Sequence, residues 1–320
     1  MVAGAAPRMI HPKKKPLLSR MRKYLGFYFL FAPVLGFLVV FHYLPMFGVS
    51  YAFTNYTLLG NDTSFVGLQN FINLFADPIK TPQFLKAFWN TLEYSVLKLL
   101  LNTFMAVLIS LLLNEMTHLW FKKLAQTIIY LPHFMSWVVT ASIFTMLFSA
   151  SDSGLVNQVL VRLGILNAPV YYLADYKTWP IVYYIVNIWR DTGWQTIIFM
   201  ATLTGIDPGI YEAASIDGAG RWKKMWYITM PSLANTIITV LILNLAKIMN
   251  LFESVFVLQN DAVRRYTHVL QTYVYQQTFA VTNPNYGYTT AVGLFRSMVG
   301  MALFLICNYA SKKVRGRGIV

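Results

Sequence analysis

The chain has 320 residues, of which 57% are apolar and only 12% charged, with a formal charge of +14. Soluble domains average about 25% charged residues, so this is the composition of a membrane protein. Sixteen of the 26 Lys and Arg cluster at 8–23, Lys122 with Lys123, Arg221 to Lys224, and Lys312 to Arg317. All four clusters flank apolar runs, which assigns the charge to membrane topology rather than to nucleic acid.

In chain order, a basic segment (1–23) precedes a first apolar run at 24–45. That run is too long for a signal-peptide core, and no small-x-small site follows it, so it reads as a span. Further spans of about 20 apolar residues fall at 91–113, 124–149, 179–203 and 232–252. A sixth, at 289–310, is weakened by Arg296 and its glycines. With residues 1–23 in the cytoplasm, every basic cluster lies inside, and loops 46–88, 150–178 and 253–288 lie outside with two basic residues each. The outer loops carry turn signals at 60–62 (GND) and 283–285 (NPN). Residues 154–166 repeat apolar positions at helical spacing, as in a short helix on the outer membrane surface. The expectation is an all-α integral membrane protein with six transmembrane helices in one domain (24–310), a cytoplasmic loop at 207–231 and a basic tail at 311–320.

Little in the chain suggests covalent chemistry. Cys307 has no partner, and five scattered histidines form no metal motif. No lysine follows a glycine, so the phosphate-binding loop G-x-x-x-x-G-K-[ST] is absent. No Ser-His-Asp or paired-carboxylate set stands out. No catalytic residue, cofactor or metal site is expected.

The loop between the fourth and fifth spans reads YEAASIDGAGRWKKMWYITMP (211–231). Asp207 can cap a helix, Pro208 can open it, and Glu212 favours its positive end. Gly218 and Gly220 should bend it, and Trp222, Met225 and Trp226 alternate with lysines. Two short helices around a glycine bend are expected, which can serve a protein partner or lie on anionic lipid.

This loop resembles the EAA loop of carbohydrate importers of the ATP-binding-cassette class. Its pattern is EAA, a glycine after three residues, and I-x-L-P after nine more. Glu212, Ala213, Ala214, Gly218, Ile228 and Pro231 fall on those positions; Met230 replaces the usual leucine. The insert Asp217-Gly218-Ala219 is the form of maltose-type importers, and FVGLQNF (65–71), WNTL (89–92), YLPHFMSWVV (130–139) and GLVN (154–157) also resemble that family. The resemblance implies a type I importer permease fold in a bacterial cytoplasmic (inner) membrane. It also implies a second membrane subunit forming a heterodimer, two ATPase subunits that bind ATP and Mg, an external solute-binding protein and an oligosaccharide substrate. In that family the loop is a coupling helix docked on the ATPase. Glu212 would pair with a basic group there, Ala213 and Ala214 would permit close approach, and Trp222, Met225 and Trp226 would be apolar anchors.

Charges inside the spans bear on the cargo. Lys98, Arg190, Asp191, Lys247 and Arg296 lie in apolar runs, where a charge costs about 2.5–3.5 kcal/mol on insertion scales and so faces a cavity or a partner. Arg190 and Asp191 can pair, but neighbours on a helix point about 100° apart, so each is expected to have a different partner. That leaves three cations without a carboxylate. In the fifth span Asn244, Lys247, Asn250 and Glu253 step by three, a stripe that winds about 60° per step around a continuous helix. Lys247 lies about 24 Å along that helix from Pro231, in the outer half. The expected substrate path comprises Asn244, Lys247, Asn250, Arg190, Arg296 and Trp194. Its unbalanced positive charge suits an acidic saccharide, such as an alginate- or galacturonate-derived uronate oligomer. The alternative is an ion-coupled secondary sugar transporter, for which Asp191 is the one carboxylate near the midplane.

Overall fold

A computed structural model describes residues 24–57, 60, 63–151 and 154–315, with side chains through Lys313. The basic segment 1–23, Asn61 and Asp62 of the turn signal, and tail residues 316–320 lie outside the described residues. The chain divides into two compact units, Met1–Ser50 and Tyr51–Val320.

Residues 25–50 of helix α1 (Leu25–Phe53) make up nearly all of the described part of the first unit. It contains Pro33, a wide π-turn at Val39–Tyr43 and a tighter 3-10 end at Phe47–Phe53. None of its residues up to Met46 is buried. A helix apolar on every face is suited to lipid or to another membrane chain.

The second unit is built on α3 (Lys80–Glu115), a 36-residue helix about 54 Å long. Asp77 starts it by accepting the N–H groups of Ile79 (2.8 Å) and Lys80 (2.9 Å). The bond from Lys80, then that from Ile79, holds the Asp77 carboxyl below its usual range. Its buried residues, among them Phe84, Ala87, Thr91, Leu99, Asn102, Ala106, Ser110 and Leu113, recur at helical spacing and form one stripe. Much of that stripe packs on α7 (Trp179–Thr204), the most extensive helix–helix contact of the molecule.

The expected straight span at 124–149 is instead two helices, α4 (Leu119–Phe134) and α5 (Trp137–Leu147), meeting at 104°. Pro132 has no N–H to continue the ladder, and Ser136 caps α5 by accepting the Val139 N–H at 3.2 Å. α4 crosses α7 at Gly193, where an added Cβ would lie 2.1 Å from the Ile129 carbonyl oxygen. Since that oxygen belongs to helix backbone, Gly193→Ala should cost about 1–3 kcal/mol through overpacking. The check is a lower thermal midpoint in detergent; an unchanged midpoint would show that α4 can shift freely.

Four described helices are long and apolar enough to cross a membrane: α1, α3, α9 (Arg221–Leu245) and α13, which runs from Tyr286 to Arg315. The bent α4–α5 pair passes the same test only when its two helices are taken together, as one broken span or a re-entrant loop. α7 has the length, about 39 Å for 26 residues, but lower hydropathy. It is packed by α3, α4, α5 and α9, so it can carry Asn187, Arg190 and Asp191 without presenting them to lipid.

Shorter helices fill the expected outer loops: α2 (Gln69–Ala76), α6 (Leu155–Arg162), α10 (Glu253–Leu258), α11 (Arg264–Thr267) and α12 (Leu270–Phe279). α6 is the amphipathic helix expected near 154–166, and Asn285 of the NPN turn caps α13 by accepting the Tyr288 N–H at 2.9 Å. The asparagines of the family-like motifs each clamp two backbone carbonyls. Asn70 donates to Ala52 and Thr54, Asn90 to Tyr266 and His268, and Asn157 to Ser149 and Val170.

Candidate functional site

Two regions concentrate the expected functional residues. The first is the loop between α7 and α9. Asp207 accepts the Gly209 N–H at 2.9 Å and starts α8 (Pro208–Ile216), with Pro208 in its first turn. The helix ends at Gly218, whose φ of +74° lies in the left-handed region. The Ala219 N–H bonds Ala214 O (2.8 Å) and the Gly218 N–H bonds Ser215 O (3.1 Å), the paired closure of a Schellman cap. α9 begins three residues after that glycine.

The two arms are tied together: Tyr211 Oη and Thr229 Oγ1 are 3.0 Å apart, and Lys224 Nζ donates to Ser215 Oγ. These two ties are not part of the sequence expectation, because a bond between arms 18 residues apart has no local signature. The expected separate second helix is corrected. Residues 221–245 form one continuous helix, in which a π-turn at Met225–Thr229 precedes Pro231. The wider turn accommodates the missing proline N–H, so the loop runs into the membrane without a joint.

Glu212, Ala213, Asp217 and Gly218 are exposed, and Ala214 and Ala219 half-buried. Trp222 (74% exposed) and Trp226 stand out from the surface, whereas Met225 is half-buried and so only partly available as an anchor. Ile216 (88% exposed) and Tyr227 (81%) extend the apolar face; the sequence reading had missed both. A rigid, exposed hairpin with aromatic and acidic groups is suited to docking.

The second region is the charged interior. Arg190 Nη1 lies 2.7 Å from Asp191 Oδ1, so these neighbours pair, and each also has the separate partner expected of it. The long guanidinium reaches back, and its Nε and Nη2 donate to Met135 O at 3.2 and 3.0 Å, at the α4–α5 bend. Its carbon also sits 4.4 Å above the Trp137 ring. Lys98 Nζ is 3.3 Å from Asp191 Oδ2, and His133 Nδ1 is 3.5 Å from Oδ1. Lys98 is therefore paired, and Lys247 and Arg296, rather than three cations, have no ion-pair partner among the described residues. Trp194 stacks on His133 at 4.9 Å, beside this network.

The winding stripe is also corrected. α9 ends at Leu245, and residues 246–249 close by short-range bonds such as Lys247 N–H to Asn244 O (3.0 Å). Asn244 still lies on the helix, and the break after Leu245, rather than helical winding, brings Lys247 and Asn250 to the same cavity. One cavity of 160 Å³ holds Asn244, Lys247 and Asn250 together with Lys98 and Gln195. A second, of 420 Å³, shares Asn250 and reaches Arg296 and Phe304. A third, of 350 Å³, shares Arg296 and is walled by Phe252, Tyr275 and Phe279. Cations thus recur along adjoining polar and aromatic hollows. Of the other aromatics considered from sequence, Trp189 packs edge-on against Phe144 and Trp89 against Phe88.

A family model described as binding-protein-dependent transport system inner membrane component matches residues 106–316. The polygalacturonan/rhamnogalacturonan transport system permease protein YteP of Bacillus subtilis (strain 168) is 37% identical over 312 residues, 96% of this chain and 94% of that protein. Among solved structures, a chain of a bacterial ABC transporter involved in the import of the acidic polysaccharide alginate is similar at a TM-score of 0.83. Its identity is 30%, over 93% of this chain and 99% of that chain. A chain of the bacterial alginate ABC transporter in complex with alginate pentasaccharide-bound periplasmic protein gives 0.84 at 30% identity, over 95% and 99%.

Proposed function

Since the chain belongs to the family of binding-protein-dependent transport system inner membrane components, we propose that it is the pore-forming permease of an ATP-driven importer for an acidic oligosaccharide. Residues 24–310 form the membrane domain, with both termini in the cytoplasm. It pairs with a second permease, two ATPase subunits that bind ATP and Mg, and an external binding protein. The hairpin 207–231 transmits ATPase closure through α7 and α9, alternating access between the two sides. Glu212, Ala213, Ala214, Asp217, Gly218, Ala219, Trp222, Met225 and Trp226 contribute to that coupling.

The observation that carries the acidic substrate is the recurrence of Lys247 and Arg296 along adjoining cavities, with no carboxylate paired to them among the described residues. Unpaired cations in a membrane interior are costly, so a path built with them favours an anion. Relatives support the same chemistry: one similar permease serves a polygalacturonan/rhamnogalacturonan transport system and one similar structure an alginate importer, and polygalacturonan and alginate are uronate polymers.

The test is uptake of a uronate trimer by proteoliposomes containing the full importer and its binding protein. Lys247→Ala with Arg296→Ala should lower uptake about tenfold or more, the equivalent of about 1.4 kcal/mol. Undiminished uptake would refute the acidic path. Uptake that persists without ATP and collapses with an ion gradient would support the ion-coupled carrier instead.

A further inference from the structure

The basic pair Lys122–Lys123 takes no part in the hairpin or in the cavities described above. It lies in the first two turns of α4, whose direction the packing fixes. Met135, just beyond α4, meets Arg190, and Ile129 meets Gly193, so the start of α4 points toward the end of α7 that leads into the hairpin. On one side of α4, Ala125 and Ile129 pack into the apolar cluster that contains Leu113, Leu203 and Leu233.

The other side of α4 is bare. Phe121, Leu124, Ile128 and Leu131 are exposed and follow at intervals of three, four and three residues, which makes one stripe along the helix. Trp120, 75% exposed, and the exposed Lys123 stand beside the start of that stripe, with Lys122 half-buried next to them. Ion pairs among the described residues use Lys98, His133, Arg190 and Arg264, so no carboxylate there neutralises either lysine. An aliphatic stripe that ends in a tryptophan and lysines repeats the order of groups at the edge of a bilayer: hydrocarbon, aromatic belt, charged headgroup. Protein interfaces are depleted in lysine, whereas anionic headgroups attract it.

We propose that the first two turns of α4 form a binding surface for anionic phospholipid, with Lys122 and Lys123 on the headgroup, Trp120 at the interface, and Phe121 and Leu124 against an acyl chain. The contact fixes the depth of α4 in the bilayer. Because α4 crosses α7 at Gly193 with no room for a Cβ, it also fixes the level of α7 where that helix approaches the hairpin.

The test places the full importer in lipid discs of phosphatidylcholine and phosphatidylglycerol in equal parts, with a trace of either lipid carrying a photoreactive group at its headgroup. Crosslinks are mapped by peptide mass spectrometry, and the ratio of phosphatidylglycerol to phosphatidylcholine yield at residues 118–128 is compared with that at Lys312 and Lys313. Both faces of the disc carry the same lipids, so the result does not depend on which face is cytoplasmic. Lys122→Gln with Lys123→Gln should lower the ratio at α4 about tenfold or more, at about 1 kcal/mol per lysine, and leave the ratio at Lys312 and Lys313 within about twofold. Lys122→Arg with Lys123→Arg should keep the parental ratio. A parental ratio near one, or a ratio that the glutamines leave unchanged, overturns the lipid surface. Crosslinking that appears only after the ATPase subunits are stripped away overturns it too, since the stripe would then be a protein contact.

Discussion

Gly218→Val is expected to abolish ATP-driven uptake while leaving the membrane domain folded. The residue has φ +74°, and a Cβ placed there meets nothing within 4 Å. The penalty is therefore backbone strain alone, about 1–2 kcal/mol for a left-handed L-residue and more for a β-branched one. Relief requires the Schellman closure at Ala214 and Ser215 to open, which re-aims α8 against α9. Glu212 and Ile216, exposed on α8, would then shift relative to Trp222, exposed on α9. Losing an interface anchor costs about 2 kcal/mol or more, so ATPase co-purification and uptake should fall by about 30-fold or more. Gly218→Asn should lose much less, since asparagine tolerates this conformation. Equal behaviour of the valine and asparagine variants would remove backbone geometry as the cause.

Arg190→Ala should have the largest effect on folding. Its guanidinium is 13% exposed and holds three partners: Asp191, the Met135 carbonyl and the Trp137 ring. Removing one member of a buried pair costs about 3–5 kcal/mol, because the remaining charge and carbonyl stay desolvated. Lys98 retains one contact to Asp191, which places the cost toward the lower end of that range. Met135 sits at the 104° bend, so the loss frees the α4–α5 pair from α7. Arg190→Lys should rescue little: a single ammonium cannot reproduce the forked donation to Met135 and Asp191 while stacking on Trp137. Yield and thermal midpoint of the purified chain are the measures, and near-parental values for Arg190→Ala would show that the bend is held by packing alone.

Much of the candidate hairpin was legible in sequence because its signals are local. The Asp207 cap, the Pro208 start and the Gly218 stop each act within a few residues, and each occurs as expected. Ties across the hairpin, Tyr211 to Thr229 and Lys224 to Ser215, were not legible, since they depend on how two arms fold together. In the interior the reverse held. Lys98, Arg190, Asp191, Lys247 and Arg296 stood out by residue type, but their pairing did not. A helical wheel separates Arg190 from Asp191 by about 100°, yet a long flexible side chain closes that angle easily. The wheel failed again at Asn244, Lys247 and Asn250, because it assumes a helix that ends at Leu245.

By itself the sequence determined the all-α membrane character, the apolar runs that become the long helices α1, α3, α9 and α13, and the bent hairpin carrying the family signature. Those follow from desolvation and backbone rules that act within some 20 residues. Only the tertiary structure decided that the helices at 119–134 and 137–147 meet at 104°, and that Lys98 is paired while Lys247 and Arg296 have no ion-pair partner among the described residues. Partners of buried charges and polar atoms lie tens of residues away in the chain, and helix packing alone brings them together.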